Sequence, residues 1–220
     1  MKRLMDILLS GLSLVCFFPF GLVIVLILRL TGEGEIFFLQ SRVGKGGEIF
    51  GLMKFATMLK DSPNIGTGVL TVKNDPRVLP FGKFLRKTKL NEVPQLWNIL
   101  KGDMSIIGPR PQAQKHFDVF PEHVKKEIVK VRPGLSGVGS IIFRDEENIM
   151  GKSPKPNEAC YAEDIAPYKG ELEIWYIKNQ SLWLDLKLIF LTIWVVLFPE
   201  SNLPFKILTD LPKSNNKIFR

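Results

Sequence analysis

The sequence predicts an α+β chain, mostly helical, with an N-terminal hydrophobic segment that enters a membrane and a small body carrying interfacial amphipathic helices. Three observations predict it. Twenty-two residues from Ile7 to Leu28 carry no charge; as a helix they reach ~33 Å, enough to cross a bilayer core. Apolar residues recur at helical spacing through 81–100 and 171–198, while only short segments read as strands. The 220 residues, 45% hydrophobic and 24% charged, suit one folded body with its own core rather than a multi-span or disordered chain.

The N-terminal segment leaves more than one form open. A cleaved signal peptide would have a shorter apolar core and a small-residue cleavage site, and Thr31-Gly32-Glu33-Gly34-Glu35 offers none. Pro19 sits near the middle of the run, where it removes an N–H and disfavours helix at Phe18. Lys2 and Arg3 precede the run and Arg29 follows it, so both ends favour the cytoplasmic face. A helix broken at Pro19 that enters and leaves by one leaflet satisfies both ends. A straight span satisfies one, and proline-containing spans are common.

The body follows in order. Ile36–Leu39 and Ile49–Phe55 read as strands around the turn Gly44-Lys45-Gly46-Gly47, and a polar loop covers about 61–75. Phe81, Phe84 and Leu85 share one helical face, with Lys83, Arg86, Lys87 and Lys89 elsewhere. Val93, Leu96, Trp97 and Leu100 mark a second helix, with Asn91 as its N-cap and Pro94 in its first turn. A short helix lies near 122–131. A long one covers 171–198, with Leu182, Leu186, Ile189, Phe190, Ile193, Trp194 and Leu197 on its buried side. The uncharged part of that last helix, Leu188 to Pro199, is too short to span a bilayer and reads as core or interfacial.

Composition narrows the function. Thirty Lys and Arg against 22 Asp and Glu give +8, which suits lipid headgroups, nucleic acid or phosphorylated small molecules. No reading element accompanies the charge, so no nucleic-acid partner is expected. Two cysteines, Cys16 and Cys160, exclude a disulfide framework, and His116 and His123 are too few for a structural zinc. Neither a dinucleotide fingerprint nor a Walker pattern is present.

Chemistry concentrates in two places. At Asn91-Glu92, a helix start follows Arg86, Lys87 and Lys89; a phosphate there would meet backbone dipoles and mobile cations. A capped surface helix with a solvated basic face reads equally from spacing. Arg144-Asp145-Glu146-Glu147 sets three carboxylates after one cation, a pattern able to bind Mg²⁺ or supply a nucleophile, or simply a wet loop.

The ordered segments do more than spacing can. They are Lys54-Phe55-Ala56-Thr57-Met58; Asp75-Pro76-Arg77-Val78; Phe81 to Thr88; Asn91-Glu92-Val93-Pro94-Gln95-Leu96-Trp97-Asn98; Lys101 to Pro111; Val131 to Gly137; Tyr176-Ile177-Lys178-Asn179; and Leu184-Asp185-Leu186-Lys187. Together they resemble the bacterial sugar transferases, the monotopic polyprenol-phosphate phosphoglycosyl transferases that begin glycan assembly, over nearly the whole chain to about residue 198. The resemblance implies a re-entrant helix–break–helix over 1–34 with Pro19 at the break. It implies a cytoplasmic catalytic domain over 35–200 and a C-terminal tail over 201–220, at the cytoplasmic face of the bacterial inner membrane.

It further implies transfer of a sugar phosphate from a UDP-sugar to a polyprenyl (undecaprenyl) phosphate, releasing UMP, with Mg²⁺ as cofactor at Glu92 and membrane lipids as partners. A homo-oligomer stays open. Lys54, Arg86, Arg110 and Arg144 match positions that contact phosphate or nucleotide. One departure stands out: Asn91 occupies the place of the family's usual nucleophilic Asp, and a neutral carboxamide is a poor nucleophile. Asp145 then becomes a candidate for the missing carboxylate, with Glu92 kept for metal or base work. Direct attack by the lipid phosphate competes with that route, as do an inactivated enzyme and a non-catalytic membrane scaffold that binds polyprenyl phosphate.

Overall fold

The computed structural model describes residues 1–31, 33–65 and 75–214; the greater part of the expected 61–75 loop lies outside them. Helix α1 (Lys2–Leu30) runs through the apolar segment, and only 11% of its most apolar window is buried. Leu8, Leu12, Val15, Phe18 and Phe20 are all exposed, so this is no core helix of a soluble protein. Helical geometry continues through Pro19, where a break was expected. A proline inside a helix deletes one hydrogen bond and bends the axis without ending the helix.

Contacts divide the chain into two units. One comprises Met1–Asp6, Ser41–Phe50 and the chain from Gly102 onward; the other comprises Ile7–Gln40 and Gly51–Lys101.

The second of these contains most of α1. Strands β1 (Phe37–Val43) and β2 (Ile49–Phe55) form a hairpin whose roots lie in this unit and whose tip lies in the other. Helices α2 (Pro80–Lys87) and α3 (Gln95–Lys101) complete it. Ile24 and Leu28 of α1 pack with Phe55 and Leu85 into a small core. Asn91 does not cap a helix: Leu90–Glu92 is a 3₁₀ turn, and α3 starts four residues later than expected. Lys89 takes a left-handed conformation (φ 60°), which ends α2 and redirects the chain before the turn.

The other unit holds the larger core. Strands β3 (Ser105–Ile107) and β4 (Gly134–Ser136) pair in parallel, Ser105 with Gly134 and Ile107 with Ser136. Gly134 is obligatory, since a Cβ there would lie 2.1 Å from the Gly108 nitrogen. Helices α4 (Gln114–Asp118), α5 (Glu122–Ile128), α6 (Val138–Ile142), α7 (Glu146–Lys152) and α8 (Asn157–Cys160) belong to the same unit. A π-helical turn, Tyr161–Ile165, leads into α9 (Ala166–Lys178), then α10 (Leu182–Leu197) and α11 (Leu203–Ile207). Leu208, just past α11, is buried in the same core.

The long helix expected over 171–198 is thus two helices. Ser181 caps the second, its hydroxyl accepting from the Leu184 N–H at 3.2 Å. The buried side also differs from expectation. Leu184, Asp185, Leu188, Leu191 and Val195 face inward, while Leu186, Phe190, Ile193 and Leu197 are exposed. The helix is apolar nearly all round, so hydrophobicity cannot choose its face.

Asp185 chooses it. Its carboxylate, fully buried, accepts from Lys2 Nζ (2.7 Å) and from the Tyr176 hydroxyl (2.6 Å). Lys2 also donates to Ile107 O at 2.9 Å. One turn along α1, Asp6 accepts from Ser105 Oγ (2.8 Å) and from the Ile106 N–H (3.0 Å). Burial, reinforced by Asp185, pushes the Tyr176 hydroxyl far above its usual range, so it stays a donor. The start of α1 is therefore clamped by three polar or charged side chains, Asp185, Tyr176 and Ser105, and by two backbone groups, all of its own unit.

Breaking a buried ion pair by removing one partner typically costs about 3–5 kcal/mol. Asp185→Ala is expected to lower the Tm in detergent by about 5–10 °C, read by thermal unfolding. An unchanged Tm would deny the clamp its structural weight.

Candidate active site

In the unit built on β2, α2 and α3, four of the residues singled out from sequence sit on neighbouring elements. Lys54 lies near the end of β2 and its ammonium donates to Gln40 Oε1 at 3.1 Å. Arg86, in the last turn of α2, reaches Thr57 Oγ1 at 3.5 Å. Asn91 and Glu92 stand on the 3₁₀ turn, which packs against α2. Gly82 explains the close seating of α2. Its Cβ would fall 2.2 Å from Thr57 O, so only glycine lets the helix bring Arg86 over the Thr57 segment.

Asn98, which the sequence reading passed over as one more residue of a motif, locks this arrangement. Its Oδ1 accepts from the Met53 N–H (2.9 Å) and its Nδ2 donates to Gly51 O (2.8 Å). This buried amide thereby completes the edge of β2 next to Lys54 and fastens it to α3. A second missed group is the Asp75–Arg77 pair. The two are bonded at 2.6 Å, and Arg77 also donates to Ser62 O (2.6 Å) and Ile65 O (2.8 Å). A polar or charged side chain inside an otherwise apolar motif was the available signal for both, but spacing alone does not reveal its partner.

Asn91 is buried, 9% exposed, and its Oδ1 has no hydrogen-bond partner. An orphaned buried acceptor costs about 1–3 kcal/mol and calls for an explanation in a native fold. Among the described residues no cluster of three or more His, Cys, Asp or Glu could hold a metal. The oxygen ligands on the 3₁₀ turn are the Glu92 carboxylate and the Asn91 amide oxygen. Mg²⁺ commonly takes one or two protein carboxylates and fills its shell with water and substrate phosphate. The pair fits a site completed by substrate.

The remaining residues fall in the other unit. Arg110 follows β3, partly buried, and its carbonyl accepts from Gln112 Nε2 at 3.2 Å. Arg144 is exposed and donates through Nη1 to the Val195 carbonyl, near the C-terminus of α10, as cations at helix ends commonly do. Asp145, also exposed, precedes α7 without capping it and accepts from Asn148. Glu146 is taken up by Lys169. So the acidic run splits: one carboxylate is bound inward and another faces solvent.

An α+β body with a long exposed apolar helix, which carries two cations, a carboxylate and an orphaned buried amide in one unit, defines a candidate anion-handling enzyme. Residues 1–199 match the family model for bacterial sugar transferases, and the chain belongs to that family. It is 37% identical over 198 residues to a UDP-N-acetylgalactosamine-undecaprenyl-phosphate N-acetylgalactosaminephosphotransferase of Aeromonas hydrophila, covering 89% of this chain and 43% of the relative. Identity to a UDP-glucose:undecaprenyl-phosphate glucose-1-phosphate transferase of Klebsiella pneumoniae is also 37%, over 88% of this chain and 39% of the relative. The exopolysaccharide production protein ExoY of Rhizobium meliloti is 30% identical over 87% of this chain and 83% of its own length. The chain thus spans about two fifths of the first two relatives.

Asn98→Ala leaves the Met53 N–H and Gly51 carbonyl without their partner. The expected loss is about 2–3 kcal/mol of stability, measured by denaturant titration in micelles; a loss below 0.5 kcal/mol would contradict the locking role.

Proposed function

We propose that this protein transfers a sugar phosphate from a UDP-sugar to polyprenyl phosphate at the cytoplasmic face of the bacterial inner membrane, releasing UMP. The observation that carries the reading is the family match over residues 1–199, joined to the placement of Lys54, Arg86, Asn91 and Glu92 within one unit. The relatives' names specify the donor and acceptor classes. They favour an enzyme over a scaffold.

Both substrates are anions, so catalysis must offset charge on the reacting phosphates. Lys54 and Arg86 are assigned to phosphate contacts, Arg86 with a planar fork suited to two oxygens. Glu92, with Asn91 Oδ1, would hold Mg²⁺, which when bound offsets diphosphate charge and polarises the phosphoryl oxygens. Asn91 itself carries no negative charge and is not the nucleophile. Attack comes either from the lipid phosphate directly or from a carboxylate elsewhere, for which exposed Asp145 is the candidate. Arg110 and Arg144 are assigned to phosphate or nucleotide contacts. A trapped phosphosugar adduct on Asp145 would establish the covalent route, and full turnover by Asp145→Ala would exclude it.

We also propose that α1 does not cross the bilayer. Lys2 and Asp6 are bonded to polar groups of one unit, and Ile24 and Leu28 are packed into the core of the other. Both ends of the helix are therefore tied to folded protein, while its exposed middle is apolar. A re-entrant path bent at Pro19 keeps both ends on one side. The exposed apolar face of α10, with Trp183, Leu186, Phe190 and Ile193, suits the same lipid surface.

Membranes containing the protein, given a UDP-sugar panel and polyprenyl phosphate, are expected to release UMP. Glu92→Gln is expected to lower the rate at least about 100-fold. No release with any donor, in membranes where the protein is folded, would refute the reading. Orders-of-magnitude gain in Asn91→Asp would instead identify the natural chain as inactivated. For topology, a protease-cleavable N-terminal tag should be protected in intact spheroplasts and cut only after lysis.

A further inference from the structure

Lys169 on α9 is 4% exposed; its ammonium is bonded to Glu146 of α7 and lies over the rings of Phe143 and Tyr161. A second carboxylate stands beside it. Glu173, one turn further along α9 and 2% exposed, has no hydrogen-bond partner on either carboxylate oxygen. Both side chains rest on one glycine of α6. A Cβ at Gly139 would lie 2.4 Å from Glu173 Oε1 and 3.4 Å from Lys169 Cγ. Rotation about the outer bonds of Lys169 therefore brings its ammonium within reach of Glu173 with no movement of the backbone.

The two carboxylates differ in what they can do without Lys169. The Glu146 side chain keeps 25% of its surface exposed, so it can pass to water. Lys169 cannot, because a buried ammonium stripped of its partner is strongly destabilising. Glu146 can let go only if another anion takes that charge, and Glu173 shares the same seat. Burial pushes the Glu173 carboxyl up to about 7, against the pull of Lys169. As it stands the carboxylate is costly, and an apolar side chain would fill the place better. Among the described residues, Lys169 is the only side chain of another element bonded to a carboxylate of α7. The remaining hold on α7 comes from Ile149 and Met150, both only partly buried.

We propose that Lys169 is a positioning residue that works as a two-way latch. On Glu146 it holds α7 in place, and with it Arg144 and Asp145 at the root of that helix. On Glu173 it lets α7 lift. In the lifted state Glu146 is hydrated, Lys169 and Glu173 pair at i,i+4 spacing on α9, and no buried charge is stranded. The latch itself goes beyond the transferase reading. Its bearing on substrate rests on that reading, through the phosphate or nucleotide contact assigned to Arg144.

The test is hydrogen exchange, read by mass spectrometry on the full chain in micelles at pH 8, with α7 peptides compared with those of α5. Glu146→Gln is expected to speed exchange in α7 at least about fivefold relative to α5. Glu173→Gln, which removes the second acceptor, is expected to slow it several-fold. Opposite signs are what a merely structural pair would not give. No acceleration in Glu146→Gln, or no slowing in Glu173→Gln, overturns the latch. UDP-glucose should slow α7 exchange in the unaltered protein, because a ligand on Arg144 fixes the root of the helix. If both variants respond and UDP-glucose changes nothing, the latch stands and the Arg144 assignment falls. If Glu173→Gln does not fold, Glu146→Gln decides alone.

Discussion

The structure depends on how helix α1, a long apolar element with most of its surface exposed, is fixed at its two ends: the first by buried polar side chains, the second by an apolar core. Apolar surface of this extent is unfavourable in water, and the charges of Lys2, Arg3 and Arg29 at its two ends are costly in hydrocarbon. The clamp of Lys2 on Asp185 and Tyr176, and of Asp6 on Ser105 and Ile106, settles the first end. Burial of Leu28 against Phe55 and Leu85 settles the second. Everything between is left to the membrane.

That constraint gives a physical sense to residues that look redundant in the sequence. Tyr176 and Asp185 belong to motifs of the family resemblance, yet here they fasten an N-terminal helix and set which side of α10 is buried. The consequence is an exposed apolar stripe on α10. On the proposed reading, a soluble donor and a lipid acceptor would meet at a water–lipid boundary. On the same reading, Glu92 on the 3₁₀ turn, Arg86 on the helix packed against it and Lys54 in the same unit would supply what a phosphoryl group needs.

Much of this was legible beforehand. Periodicity found α2 and the hairpin, and the quoted motifs gave the family. The N-cap at Asn91 was misplaced because Pro94 and the left-handed Lys89 make a 3₁₀ turn where composition alone reads as a helix start. The face of α10 was misread because an all-apolar helix carries no moment to read; only its one buried charge decides, through partners more than a hundred residues away in Lys2. Asn98 and Glu173 escaped for a similar reason. Their importance lies in backbone groups and glycines brought to them by folding, such as Gly51 and Gly139.

Whether α1 turns back within one leaflet is open to direct measurement. Spin labels placed singly at Leu8, Phe18 and Leu26 in a nanodisc-embedded protein can be ranked by the ratio of oxygen to polar-relaxant accessibility. Greatest depth at position 18, with 8 and 26 shallow on the same side, is the predicted profile. A continuous change from one headgroup region at 8 to the opposite one at 26 would contradict it.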